Sequence, residues 1–111
     1  MAEQTFPLTV SMTARVPASG NVTVTLQPST ARQWWEVTAV AVKASTNVSE
    51  PTARVYNGNR GALFMSTYTG SGDSGSCYQV VNGGGIFCDW TGADVGATVE
   101  LFLYGTVHVG P

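Results

Sequence analysis

The chain has 111 residues, 43% of them apolar and only 11% charged, with seven acidic and five basic side chains and a net charge of −2. That length holds one domain, with a modest core that needs no disulfide or metal as a staple. Five scattered cations make no patch for nucleic acid, no apolar run reaches the ~18 residues of a membrane-spanning helix, and the opening MAEQTFPLTV lacks the basic-then-apolar pattern of a secretory signal.

Residues 1–6 read as a short N-terminal arm and 7–111 as a single β-domain. Strand-like runs follow at 7–16, 21–27, 34–43, 52–57, 61–67, 77–81, 85–89 and 97–108, with Gly-, Ser-, Asn- and Pro-rich turns between them. No stretch repeats with the 3.6-residue period of a helix. About eight short strands at this spacing predict an all-β fold, a compact antiparallel β-sandwich or a jelly-roll-like barrel.

In 21–26, Val22, Val24 and Leu26 face one side and Thr23 and Thr25 the other, the alternation of a half-buried strand. The run 34–43 opens with Trp34 and Trp35, which must point to opposite faces. Strict alternation puts Trp35, Val37, Ala39 and Ala41 on one face, and Trp34, Glu36, Thr38, Val40 and Val42 on the other. One tryptophan is expected to close the core. The other is expected to cap the sandwich, to anchor a contact between chains, or to offer a stacking platform for a sugar or base.

Asn57-Gly58-Asn59-Arg60-Gly61 reads as a hairpin turn, with Arg60 facing solvent or bonding across an interface. The stretch TGSGDSGS (69–76) lacks the lysine and helix of a phosphate loop and reads as an exposed loop, with calcium as the alternative. In CYQVVNGGGIFC (77–88), Asn82-Gly83 between two apolar runs predicts a two-residue type I′ hairpin, which sets Cys77 opposite Cys88. Three readings of that pair stay open: a cross-strand disulfide, two reduced thiols in or near the core, or metal binding, which would need more ligands than two thiols and the distant His108.

Asp89 and Asp94 flank WTGAD, and two carboxylates at that spacing are the minimum for glycoside chemistry; as loop and turn caps they need no chemistry. His108 has no recognisable acid partner in the sequence, so no catalytic residue, cofactor or metal is expected and the chain reads as a non-enzyme. In 97–107, Val99, Leu101, Leu103 and Val107 form the core face, with Gly105 among them. Phe102 and Tyr104 lie on the opposite face and are large for a surface in contact with water only. A soluble monomer ordinarily keeps about a quarter of its residues charged, so the low charge here suits a chain packed against copies of itself or a large partner.

QWWEVTAVAVKAS, ARVYNGN and DWTGADVGATVELFLYGT, together spanning most of residues 30–106, resemble small virion proteins of tailed bacteriophages of actinobacteria. In those proteins a double-aromatic strand opening, here Trp34-Trp35, recurs. So does a W-x-G-A-D-x-G-A loop, here Trp90, Gly92, Ala93, Asp94, Gly96 and Ala97. The resemblance implies structural roles for these positions and a virion component assembled in the host cytoplasm. The first expectation is a head decoration protein on the outer surface of the major capsid protein lattice, self-associated as a trimer. A tail tube, terminator or minor tail component is the alternative, and a carbohydrate-binding module the alternative of a different class. Trp34, Trp35, Phe102, Tyr104 and Arg60 are the interface candidates.

Overall fold

The computed structural model describes residues 3–46, 48–58, 65–69 and 71–110. Eight strands form: β1 (Gln4–Arg15), β2 (Val22–Leu26), β3 (Gln33–Ala44), β4 (Thr52–Asn57), β5 (Met65–Thr69), β6 (Gly72–Val81), β7 (Ile86–Thr91) and β8 (Thr98–Val109). They make two four-stranded antiparallel sheets, in the order β1-β8-β3-β6 (sheet A) and β2-β7-β4-β5 (sheet B). β1 pairs with β8, β2 with β7, β3 with β6 and β4 with β5. The chain is therefore one long hairpin with its tip at β4–β5, rolled into two layers. This nesting is the eight-stranded jelly roll, and the all-β expectation holds.

The core forms where the inner faces of the two sheets meet. Val99, Leu101 and Leu103 of β8 are fully buried, as their alternation predicts, against Val24, Val55, Ile86 and Trp90 of sheet B. The indole N–H groups of Trp35 and Trp90 have no acceptor among the described residues. An unmet donor costs about 1–3 kcal/mol, whereas covering a tryptophan returns about 5 kcal/mol at ~200 Å² of apolar area. Burial wins.

β3 departs from strict alternation. Its pairing with β8 shifts between Val37 and Ala39, so Thr38 is an extra residue that bulges out of the ladder. The bulge returns Val40, Val42 and Ala44 to the core face already occupied by Trp35 and Val37, and turns Ala39 and Ala41 outward. An apolar row interrupted in the sequence is thus continuous in space. Opposite the bulge, a Cβ on Gly105 would lie 1.9 Å from the Glu36 carbonyl oxygen, so no other residue fits there.

Four expectations need correction. The 77–88 hairpin does not form, because β6 pairs with β3 in sheet A and β7 with β2 and β4 in sheet B. Asn82–Gly85 instead crosses between the layers, with Gly85 so close to the end of β2 that a Cβ would lie 2.9 Å from the Leu26 carbonyl oxygen. Cys77 and Cys88 accordingly stand on different sheets as free thiols, and the disulfide expectation is overturned. The stretch 69–76 is mostly strand: β6 starts at Gly72 and its backbone pairs with Ala39–Lys43, while Asp73 accepts from the Thr69 and Ser74 amides. Finally, residues 4–6 are not an arm, since they extend β1 along Val107–Val109. Arg60 and the beginning of the 61–67 run lie outside the described residues.

Gly105→Ala should lower stability by about 3 kcal/mol, seen as a fall in Tm of about 10 °C or more, because the backbone of β3 must retreat. Burial holds both thiol pKa values above their usual range, Cys88 the more strongly. The native protein should therefore carry two free thiols by mass, with Cys88 reacting with a disulfide reagent only after unfolding.

Candidate functional site

The outer face of sheet A carries the concentration of aromatic and charged side chains. Alternation along its strands sends the following residues outward: Thr5 to Arg15 at odd positions on β1, Glu100 to His108 at even positions on β8, Trp34, Glu36, Ala39, Ala41 and Lys43 on β3, and Ser76, Tyr78 and Val80 on β6.

At one end His108 is the centre. Its Nδ1 lies 2.7 Å from Glu3 Oε1, and its Nε2 meets Glu36 Oε1 in a very short contact. Trp34, directly across the ladder, stacks on the imidazole with ring centroids 3.8 Å apart and planes 6° from parallel. The Trp34 indole N–H donates to Glu3 Oε2 at 3.1 Å, and the Tyr78 hydroxyl donates to Glu36 Oε2 at 2.8 Å. Strands β8, β3 and β6 and the residue leading into β1 are thereby joined through one ring. The expectation that His108 lacks an acid partner is overturned. Its partners stand 105 and 72 residues away in sequence, and only the β1–β8–β3 pairing brings them together.

The electrostatics follow from the contacts. Partial burial pulls the His108 pKa down, but its bonds to Glu3 and Glu36 outweigh that and leave it above the ordinary 6.5. The Tyr78 hydroxyl, then His108, hold Glu36 below the usual carboxylate value; His108, then Trp34, do the same for Glu3. Tyr78, donating to a carboxylate, is pushed up. Each ring nitrogen faces a separate carboxylate, so that when protonated the ring donates at both positions and cross-links the strands. Among the described residues no three His, Cys, Asp or Glu side chains are grouped to hold a metal ion.

Farther along the same face, Phe102 and Tyr104 lie parallel with centroids 6.5 Å apart, beside the small side chains of Ala41 and Ala39. Tyr78 is 61% exposed, Val80 45% and Tyr104 38%, which leaves a broad uncharged surface with aromatic relief. Trp34, Phe102 and Tyr104 thus share one face. Trp35 does not: it is 4% exposed, in the core, and drops out of the interface candidates.

The remaining sequence candidates have structural roles. Asp94 accepts from the Val48 and Ser49 amides at 2.8 and 3.0 Å, and bonding to Ser49 and Val48 holds its carboxyl below the usual range. Asp89, on β7, accepts from the Thr23 hydroxyl at 2.6 Å. In the WTGADVGA loop, Trp90 is fully buried, Ala93 and Ala97 are buried, and Gly92 and Gly96 take the positive φ values of tight turns.

The sign of the pH dependence is set by the two directions of shift. A raised histidine contributes stability in full below its unfolded pKa and loses it as pH rises through the folded one. A lowered carboxylate contributes above its unfolded pKa and loses it as pH falls through the folded one. The Tm difference between the native chain and His108→Asn should therefore be largest between the ordinary carboxylate and histidine values, 4.5 and 6.5, and shrink on either side. Thermal melts across pH check this. Comparison with protein-family models, with curated proteins and with solved structures finds no match for this chain.

Proposed function

We propose that this chain is a non-enzymatic structural component of a virion, acting as a head decoration protein that binds the outer surface of the major capsid lattice of a tailed bacteriophage. The observation that carries the reading is the outer face of sheet A, whose middle, between two charged ends, is uncharged and leaves Tyr78, Val80 and Tyr104 exposed. Such a surface gains from being covered by protein. The resemblance of residues 30–106 to small virion proteins points the same way, as does the use of jelly rolls in viral capsids, although a fold alone assigns no function. The physical role is to bridge neighbouring capsid subunits, so that weak contacts repeated over many copies resist internal pressure.

Carbohydrate binding is the second reading. It is favoured by a polar groove in which Tyr68 stands among Glu50, Thr52, Thr67, Thr69 and Asp73, and jelly rolls also serve as lectins.

Purified particles separate the two. A decoration protein is present in stoichiometric amounts and, as a charge-poor chain, stays bound through a moderate salt wash. Loss at moderate salt or absence from particles, together with a tryptophan fluorescence change on adding glycans, would replace it with the second reading.

A further inference from the structure

We propose that a second copy of this chain covers the outer face of sheet A, related by a two-fold axis that crosses the strands at the level of Tyr104. This rests on the reading of the chain as part of a protein assembly and assigns this face to a second copy, so that the pair meets the lattice by its other surfaces.

The charges on the face carry the argument. One end holds Glu3, Glu36 and His108; the other holds Arg15, Lys43 and Glu100. With β8 as a ruler, Glu36 lies at Thr106 and Lys43 at Glu100, Arg15 lies at Thr98, and Glu3 lies one residue beyond the Gln4–Val109 pair. The halfway level falls at position 103 for Glu36 with Lys43, and at 104 both for Glu3 with Arg15 and for His108 with Glu100. A single axis in the plane of the interface therefore reverses the strands and lays each over its own copy. Lys43 then meets Glu36, Arg15 meets Glu3, and Glu100 meets the His108 imidazolium. All three pairs are of opposite sign, on three different strands. A rotation of about 30° between packed sheets still leaves each end over its opposite.

Between those ends the face is uncharged, with Phe102 and Tyr104 at its centre beside Ala39, Ala41 and Thr9. Aromatic side chains at the middle of a patch with charges at its rim are the ordinary anatomy of an interface. Arg32, one residue before β3, donates to the Gly110 carbonyl oxygen beyond the strand end. Size agrees as well. Four strands about 4.8 Å apart, each about 40 Å long, present roughly 750 Å², near the ~800 Å² per partner of a stable interface. An isologous contact of this kind is self-complementary and closes at two copies, unlike the trimer expected from the resemblance.

The test is sedimentation equilibrium of the purified full chain, alongside Arg15→Glu/Lys43→Glu and Tyr104→Arg, with thermal melts confirming that each variant is folded. The expected result is a dimer, weakened about tenfold or more by either variant. A monomer or a trimer at concentrations up to about 100 µM would overturn the proposal, and so would a dimer indifferent to both variants. The two readings fail separately. A monomer that is nonetheless stoichiometric in particles removes the two-fold pair and leaves the virion assignment standing, whereas a dimer absent from particles does the reverse.

Discussion

Where β3 runs against β8, one row of side chains closes the core and the other builds the exposed surface, and the extra residue at Thr38 keeps both rows in step. Val37, Val40 and Val42 with Leu101 and Leu103 form the floor of the sandwich. On the reverse of the same ladder, Trp34 meets His108, and Ala39 and Ala41 flank Tyr104 and Phe102. Without the bulge, every residue of β3 beyond Val37 would change faces. Val40 and Val42 would go to water and Ala39 and Ala41 to the core, a loss of apolar volume that a core packed at crystal density cannot absorb. Gly105 makes the bulge possible, because its missing side chain is the space into which the Glu36 carbonyl moves.

Nested pairing sets the rest. Apart from the β4–β5 hairpin, each strand finds its first partner far along the chain, so most stabilising contacts are non-local. One seam ties the layers together at a margin: Asn57 of β4 donates to Gln79 and to the Val80 carbonyl oxygen of β6. Just beyond the β2–β7 pair, the Gly20 carbonyl oxygen accepts from Ala93. The chain changes layer at Asn82–Gly85 and at the WTGADVGA loop among other connections, and the glycines of these two answer to crowding and to positive φ.

The His108 cluster has a position that fits a surface with a second duty. It fixes the last strand and the entry to the first one on the outer face of sheet A, and it keeps two carboxylates ionised at one end of that face. A histidine held between carboxylates and stacked on a tryptophan is rigid, and rigid groups lose little entropy when a neighbour is placed on them. Stabilising the fold and shaping the outer face of sheet A are in this case the work of the same side chains.

Composition and alternation determined the class of fold, the eight strands and the core faces of β2 and β8, all of which depend on neighbours within a few residues. The choice of partner did not follow from them. Asn82-Gly83 carries strong local hairpin chemistry, yet β6 pairs with β3 in one sheet and β7 with β2 and β4 in the other. The parity of β3 departs from strict alternation for a related reason, since a bulge leaves no mark in one strand and shows only against the strand beside it. The meeting of Glu3, Glu36 and His108 was decided by tertiary structure alone: separations of 105 and 72 residues carry no periodic signal, and only the closing of β1 and β3 on either side of β8 makes them neighbours.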